Sequence, residues 1–162
     1  MAIAVGDRLP QATFLENGGE GPSPVTTDTL FDGRKVVLFG LPGAFTGTCS
    51  TRHVPSFIAV ADGLRAKGVA DILCVAVNDP FVLEAWDAST GAGTAGIRML
   101  SDAEARFVRA IELEFSNPDR GLITRSKRFA MLVEGGIVTV LNVEASPGEC
   151  DLSSGQAMLD RV

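Results

Sequence analysis

The sequence has no CxxC pair of cysteines, a single histidine and no long apolar segment. No stretch approaches the roughly 20 apolar residues that a helix needs to cross a bilayer, so no membrane span is expected. Residues 1–10 lack a basic start followed by an apolar run, and a secretory signal is therefore not predicted. A cytoplasmic protein is the simplest expectation, and an organellar form from which a targeting segment was trimmed is the alternative.

The three cysteines, Cys49, Cys74 and Cys150, are an odd number in a chain of 162 residues. A chain of this length buries a core without disulfide staples, so we expect reactive or buried thiols instead of a secreted disulfide scaffold. A zinc site would need all three cysteines and His53, at separations unsuited to a tetrahedral centre. We therefore expect no structural metal. No other cofactor is expected either. The missing CxxC also argues against a disulfide oxidoreductase.

The charge balance is acidic, with 14 basic residues against 20 acidic ones and a formal net charge of -6. This overall field would repel a phosphate backbone, so nucleic acid is not expected as a partner. The hydrophobic content of 46% is ordinary for a globular protein. The length fits one domain that spans residues 1–162.

Hydrophobic spacing predicts alternating strands and helices. The predicted strands are short and mostly apolar, and they cover residues 35–41, 72–77, 97–100, 128–133 and 137–143. The predicted helices show apolar residues at helical spacing and cover residues 48–66, 80–88, 103–115 and 153–162. Residues 17–24 predict a loop, and Ser153 is the expected N-cap of the last helix. This order predicts an α/β, thioredoxin-like three-layer fold with a central mixed sheet and flanking helices.

The segment GLPGAFTGTCS at residues 40–50 holds the candidate reactive group. A buried strand ends before Pro42, the chain turns, and Cys49 falls near the first turn of a helix. Backbone N–H groups there lack partners within the helix and the dipole favours negative charge, so both effects stabilise a thiolate. Thr46 lies three residues earlier, and its hydroxyl can accept one hydrogen bond and donate another. These residues alone leave open whether Cys49 is reactive or is a small buried apolar side chain.

Pro42, Thr46 and Cys49 match the P-x-x-x-T-x-x-C signature of the peroxiredoxins, a family that the sequence therefore resembles. The wider text PGAFTGTCSTRHVPSF is similar to the atypical type II or peroxiredoxin-5 branch, and the likeness continues in VGDRLP, CVAVNDPFVLEAW and KRFAMLVEGGIVTVLNVE. The resemblance implies a peroxidase that reduces hydrogen peroxide and organic hydroperoxides through a sulfenic acid. Its electrons would come from thioredoxin, glutaredoxin or glutathione. A non-enzymatic redox sensor that signals through oxidation of the same cysteine is the alternative.

The resemblance also implies roles for individual residues. Cys49 would be the peroxidatic cysteine, Thr46 would bond to the thiolate and the peroxide, and Pro42 would shield the pocket from water. Arg128 matches the active-site arginine of the family and would stabilise the thiolate and the separating oxygens. Lys127 and Arg125 have no such match and are expected to be solvated. The resemblance further implies a homodimer, for which Phe45 and Phe81 are candidate contacts.

One position departs from the family pattern. Gly47 stands where the family commonly has proline. Glycine removes a constraint on φ, so we expect easier unwinding of the first helical turn.

Two further thiols could condense with a sulfenic acid on Cys49. Cys74 follows at a spacing similar to that of the plant type II enzymes, but it lies in a predicted central strand, where a thiol has poor access. Cys150 lies in SPGECDLS, a loop-like stretch similar to where the animal peroxiredoxin-5 enzymes carry their resolving cysteine. Cys150 is therefore expected to resolve, with Cys74 or an external thiol as alternatives. His53, one helical turn after Cys49, is expected at the helix surface or an interface and outside the chemistry.

Overall fold

The computed structural model describes all residues of the chain, Met1–Val162. Nine strands occur in chain order, namely β1 (Thr13–Asn17), β2 (Pro22–Thr26), β3 (Lys35–Gly40), β4 (Asp71–Ala76), β5 (Ile97–Ser101), β6 (Glu114–Asn117), β7 (Leu122–Ser126), β8 (Phe129–Glu134) and β9 (Ile137–Val143). Seven of them form one sheet in the order β2-β1-β5-β4-β3-β8-β9, and β6 and β7 form a separate two-stranded ribbon. The sheet is mixed because β3, β4 and β5 run parallel whereas β8 pairs antiparallel with β3.

The α-helices, in chain order, are α1 (Thr27–Phe31), α2 (Val54–Ala66), α3 (Pro80–Thr90), α4 (Arg106–Ala110) and α5 (Gly155–Leu159). A wide helical turn at Cys49–His53, here called the π-turn, leads directly into α2. Single 3-10 turns cover Gly93–Ala95 and Pro118–Arg120. None of these helices combines the length and the apolar character that crossing a membrane requires.

Side chains alternate between the two faces of the central strands and so build two cores. On one face, Phe39 and Cys74 belong to a cluster that includes residues of α2, α3 and α5. On the other face, Leu38 and Leu73 belong to a cluster that includes residues of α1 and α4. Because a strand buried on both faces needs apolar residues at every position, β3 and β4 read as continuous apolar runs. The predicted three-layer α/β architecture is confirmed.

The region 103–115 differs from its prediction as one long helix. Helix α4 covers only Arg106–Ala110. Ala105 and Glu112 bracket it with left-handed φ values of 57° and 56°, which an α-helix cannot contain. Phe115, predicted as part of the helical apolar face, lies in β6, and the ribbon of β6 and β7 was not predicted.

Two other boundaries also differ from the prediction. Residues 17–24, predicted as a loop, include most of β2, which tolerates Pro22 and Pro24 because it is an edge strand. The last helix is capped by Ser154, whose side chain accepts from the Ala157 N–H, and not by Ser153. The hydroxyl of Ser153 instead donates to Glu144.

The hairpin of β8 and β9 is confirmed and brings Arg128 to the site. Its turn passes through Gly135 and Gly136, whose φ values of 58° and 83° favour glycine. Arg128 directly precedes β8, which pairs with β3 so that Phe129 faces Gly40. The residue before β8 therefore lies beside the chain that leaves the end of β3 and continues to Cys49.

Candidate active site

The turn after β3 is held by side chains from neighbouring segments. The Ala44 N–H donates to Asn78 Oδ1 at 2.9 Å, just beyond the end of β4. Arg125 Nη1 donates to the Pro42 carbonyl at 3.2 Å, from the neighbouring strand β7. Arg125 is thus half-buried and bonded, contrary to the expectation that it is solvated, whereas Lys127 is exposed as expected. These bonds fix Pro42 at the start of the segment that leads to Cys49.

Cys49 opens the π-turn, and a proline shortly after it explains the wide geometry. The Val54 N–H donates to the Cys49 carbonyl, five residues back. Pro55 follows as the second residue of α2 and has no N–H to donate to the carbonyl four residues earlier. A wider turn at this point accommodates the missing bond, as π-bulges commonly do. The cysteine therefore lies in the first helical turns, as the sequence predicts.

The guanidinium of Arg128 contacts Cys49 directly. Arg128 Nη2 donates to Cys49 Sγ at 3.2 Å. The same nitrogen and Nε both donate to the Pro147 carbonyl, at 3.0 and 3.2 Å. The third nitrogen, Nη1, lies 3.0 Å from His53 Nδ1. All three nitrogens of the guanidinium thus have an acceptor, and one acceptor is the sulfur.

No carboxylate pairs with Arg128, although its side chain is only 2% exposed. The ion pairs of the protein all involve other cations. A buried cation is costly without an anion or several hydrogen bonds. Its protein partners here are a carbonyl, an imidazole and a thiol, so a thiolate on Cys49 is the one anion in hydrogen-bond contact with it. The Cys49 sulfur is therefore the only hydrogen-bond partner of Arg128 that can become an anion.

A cavity of about 340 Å³ opens beside the guanidinium. Its walls come from the turn before Cys49, the β6–β7 region and the loop after β9, and they consist of Pro42, Thr46, Gly47, Thr48, Phe115, Asn117, Arg120, Leu122, Arg128, Pro147 and Gly148. A small hydroperoxide fits such a volume. Cys49 itself is 1% exposed and is not among the residues that line this cavity, so a reactant in the cavity reaches the sulfur only after a local movement. A larger cavity of about 500 Å³ lies elsewhere, near Ser101 and Asp102.

The Thr46 hydroxyl lines this cavity but does not contact the sulfur. It donates to the Gly43 carbonyl at 2.7 Å. Its proton is therefore occupied, and its oxygen lone pairs are available to accept a hydrogen bond from a bound molecule. The structure brings Pro42, Thr46 and Arg128 to one cavity, with Cys49 bonded to the last of them.

His53 lies in the buried network, contrary to the expectation of a surface or interface position. Its side chain is 0% exposed. Nδ1 faces Arg128, and Nε2 lies 2.9 Å from the Ser153 carbonyl. Burial and the positive charge of Arg128 lower the pKa of His53 to about 3, so the imidazole is neutral at physiological pH. The signal in the sequence was its i, i+4 spacing from Cys49, which places both residues on the same side of the helix.

Cys74 is the second buried thiol of the central core and has no polar contact of this kind. It lies in the middle of β4, between Phe39 and Met99 on the neighbouring strands. Burial raises the pKa of Cys74 well above its ordinary value, and negative charge on Cys49 raises it further. Its position in a central strand is as predicted.

Cys150 lies in the segment of residues 144–154, here called the Cys150 loop, which covers the helix start. Cys150 is buried, and this burial raises the pKa of its thiol. Arg52 donates to the Cys150 carbonyl at 3.3 Å, and Thr48 Oγ1 donates to the Gly148 carbonyl at 3.4 Å. No disulfide links any of the three cysteines. The loop predicted from the sequence is thus present, and it is held against the helix that carries Cys49.

Glu144 closes the far side of the Cys150 loop and was not predicted. Its Oε1 accepts from the Asp151 N–H at 2.8 Å, the Ser153 N–H at 2.7 Å and the Ser153 hydroxyl at 2.9 Å. The sequence offers no signal for this role beyond an acidic residue directly after a strand. One carboxylate oxygen therefore fixes the chain on the C-terminal side of Cys150.

Comparison with known proteins identifies relatives over nearly the whole chain. The family model described as Redoxin matches residues 4–159. Peroxiredoxin-2B of Arabidopsis thaliana is 44% identical over 160 residues, which cover 97% of this chain and 96% of that protein. Peroxiredoxin-2E-2, chloroplastic, of Oryza sativa subsp. japonica is 47% identical over 161 residues, which cover 97% of this chain and 71% of that protein. The structure of reduced Prx3 from Vibrio vulnificus in complex with hydrogen peroxide matches with a TM-score of 0.92 at 43% identity, over 98% of both chains. This likeness confirms the predicted fold class.

Proposed function

Because this chain belongs to the redoxin family and is a peroxiredoxin, its activity is the thiol-dependent reduction of peroxides, and we propose that Cys49 is the nucleophile. The observation that carries the assignment is the 3.2 Å contact between Arg128 Nη2 and Cys49 Sγ. Of the three cysteines, only Cys49 has its sulfur bonded to a guanidinium. The sulfur that attacks must be a thiolate, and a guanidinium is a hydrogen-bond donor suited to an anion.

The proposed reaction is a displacement on oxygen. The thiolate of Cys49 attacks the terminal oxygen of a hydroperoxide ROOH, an S–O bond forms and the O–O bond breaks. The leaving alkoxide takes up a proton and departs as the alcohol, or as water when the substrate is hydrogen peroxide. Cys49 is thereby oxidised by two electrons to a sulfenic acid.

Three other residues act on the same substrate in this proposal. Arg128 donates to the attacking sulfur and stabilises negative charge on the separating oxygens, where a preorganised donor is most effective. Thr46 accepts from the peroxide O–H, because its own proton is held by Gly43. Pro42 contributes an apolar wall that keeps water from the pocket.

We assign resolution of the sulfenic acid to Cys150. Cys74 is fixed by strand pairing on both sides, whereas the Cys150 loop has no regular secondary structure and is held by a few side-chain bonds. Release of the side-chain bonds that hold the loop, among them those of Glu144, Arg52 and Arg128, would free it to bring its thiol to Cys49. Condensation would then form a disulfide with loss of water.

Recycling requires an external thiol, for which we propose thioredoxin, glutaredoxin or glutathione.

We also propose that the protein forms a homodimer. Phe45 and Phe81 are 58% and 61% exposed, which suits contact residues for a second copy of the chain. The proposed location is the cytoplasm. Light scattering and cell fractionation test these two assignments, and a monomer or an organellar location would contradict them.

A peroxidase assay tests the proposal as a whole. Purified protein is supplied with hydrogen peroxide or an organic hydroperoxide, and separately with the thioredoxin, glutaredoxin or glutathione system. Continuous peroxide consumption is expected in at least one system, and the Cys49→Ser variant should show none. Consumption of one equivalent followed by arrest in every system would indicate a redox sensor instead.

Mass mapping of the oxidised protein tests the resolving residue. After treatment with one equivalent of peroxide, we expect a peptide in which Cys49 is linked to Cys150. A linkage to Cys74, or a glutathione adduct on Cys49 alone, would contradict the assignment. The Glu144→Gln variant should form the linked peptide faster, because a neutral amide holds the two backbone N–H donors less strongly than a carboxylate.

A further inference from the structure

We propose that His53 is a positioning residue for the reaction: its Nδ1 holds the Arg128 guanidinium in the orientation that presents Nη2 to Cys49 Sγ. The inference rests on the proposed function and extends it to a residue outside the peroxide pocket. His53 has no hydrogen bond to the sulfur and does not itself line the cavity. It acts only through Arg128.

The two contacts of the imidazole determine its tautomer. An arginine nitrogen can only donate, so Nδ1 must be the acceptor in the 3.0 Å contact with Arg128 Nη1. A carbonyl can only accept, so Nε2 must carry the proton in the 2.9 Å contact with the Ser153 carbonyl. Both contacts are satisfied by one neutral ring and by no other protonation state.

The surroundings keep the ring in this state and in this orientation. Its centroid lies 5.0 Å from that of Phe39 and 5.7 Å from that of Phe57, and these two phenyl rings stack on each other at 4.1 Å. Rotation of the imidazole would move a polar nitrogen into this apolar contact, at the cost of an unsatisfied group. The lowered pKa of His53 agrees with this geometry, because protonation would place a second cation against Arg128.

The choice of a neutral partner has an electrostatic consequence. A carboxylate in place of the imidazole would also orient the guanidinium, but it would neutralise the positive charge. The imidazole supplies a fixed acceptor without adding an anion. The full charge of Arg128 therefore acts on Cys49, which is the only group in contact with it that can become negative.

The position of His53 in the π-turn explains how it can orient the Arg128 guanidinium toward Cys49. Cys49 and His53 are the first and last residues of the π-turn and both face Arg128. Nη2 meets the sulfur and Nη1 meets the imidazole, so the two ends of one helical turn hold the two ends of one planar group. Loss of either hydrogen bond would let the guanidinium plane rotate, and the remaining bond would then lose its geometry.

Three substitutions of His53 separate the possible roles. His53→Leu removes the acceptor at similar volume, and His53→Asn keeps an acceptor close to the position of Nδ1. His53→Asp provides an acceptor that neutralises the charge. Phe57→Leu is the matched control, since it disturbs the packing around the imidazole without removing a bond to Arg128.

Two measurements are made on each reduced variant. The first is the rate constant of Cys49 oxidation by hydrogen peroxide. The second is the pH midpoint of iodoacetamide alkylation at Cys49, located by peptide mass mapping, which reads the thiolate directly. Urea unfolding of each variant serves as the stability control. A role of His53 in packing alone would change the urea unfolding midpoint and leave the pH midpoint of alkylation unchanged.

We expect His53→Leu to lower the peroxide rate constant roughly 10- to 100-fold, the effect of one hydrogen bond to a charged group, and to move the alkylation midpoint to higher pH. His53→Asn should recover most of the rate, and His53→Asp should not. Unchanged rate and midpoint in His53→Leu would overturn the inference, as would an equal shift in Phe57→Leu. If His53→Leu does not fold, equal rates and midpoints in the Asn and Asp variants would overturn it.

The design also separates failure of this inference from failure of the proposed function. Wild-type protein that does not reduce peroxide would contradict the function, and the Cys49→Ser variant sets the background. Wild-type activity together with an unmoved alkylation midpoint in His53→Leu would contradict the role of His53 alone.

Discussion

Cys49 and Cys74 belong to the same core cluster and are equally hidden, at 1% and 0% exposure, yet their surroundings differ in kind. Cys49 begins a helical turn and bonds to a guanidinium that lines a cavity. Cys74 lies between paired strands. Burial by itself therefore does not distinguish a reactive thiol from a structural one. Under the proposed function, we expect the guanidinium beside Cys49 to make the difference.

The comparison is tested most strongly by replacing each thiol in the same way. Cys49→Ser should reduce peroxide consumption to the uncatalysed background, because a hydroxyl is not ionised at neutral pH. Cys74→Ser should keep the wild-type rate and lose about 1–3 kcal/mol of unfolding free energy, since its hydroxyl is buried in an apolar strand. A coupled peroxidase assay and urea unfolding measure the two effects. Loss of activity in a folded Cys74→Ser protein would contradict the distinction.

The second prediction removes the cation and keeps the thiol. Arg128→Met should lower kcat/KM for hydrogen peroxide by roughly 10²–10³-fold, the usual effect of removing one preorganised donor from a transition state. Arg125→Met is the matched control, since that arginine bonds to the Pro42 carbonyl and not to the sulfur. Steady-state kinetics at saturating reductant give both values. Equal losses in the two variants would show that the contact with the sulfur is not what matters.

The third prediction concerns the pH dependence of the unfolding free energy, which we expect the buried network around Cys49 to influence through His53. The pKa of His53 falls from 6.5 in the unfolded chain to about 3 in the folded protein. Between these values the unfolded state binds more protons, so the unfolding free energy decreases as the pH falls, by up to about 1.4 kcal/mol per pH unit. Urea unfolding from pH 7 to pH 4 measures this slope. The His53→Asn variant should show a shallower slope, and an identical slope would contradict the assignment.

The smallest expected effect concerns the rigidity of the helix start. Space is open around Gly47, since a Cβ there would meet no atom within 4 Å, and its φ is not in the left-handed region. Gly47→Pro should therefore stabilise the protein by about 0.4–1 kcal/mol and slow amide exchange at Thr48 and Cys49. The amide of Cys74 serves as the unchanged reference. Equal exchange at Thr48 and Cys49 in both proteins would contradict the expectation that glycine loosens this turn.

The sequence predicts the parts of the fold that depend on local pattern. Continuous apolar runs locate β3 and β4, and paired glycines locate the β8–β9 turn. The pattern fails at residues 103–115, where apolar residues recur at helical spacing but Ala105 and Glu112 adopt left-handed backbone that no local signal reveals. Tertiary contacts decide that segment.

The residues of the candidate site likewise fall into those that the sequence predicts and those that only the folded structure reveals. Cys49, Thr46 and Pro42 lie close together in the chain and are recognisable as a motif. His53 and Glu144 bond to partners 75 and 9 residues away, at Arg128 and Ser153, and these contacts are visible only in the folded arrangement. The i, i+4 spacing placed His53 near Cys49, but it could not show that a guanidinium lies between them.

The absence of a carboxylate beside Arg128 also sets up a difference between the two redox states. A neutral sulfenic acid on Cys49 would leave the guanidinium with no anion at all, enclosed among a carbonyl and an imidazole. Such an uncompensated ion makes the oxidised form electrostatically less favourable than the reduced one, and exposure to water relieves it. The same guanidinium fastens Pro147 in the Cys150 loop. Turnover would thus weaken the site's hold on that loop at the moment when the loop has to move.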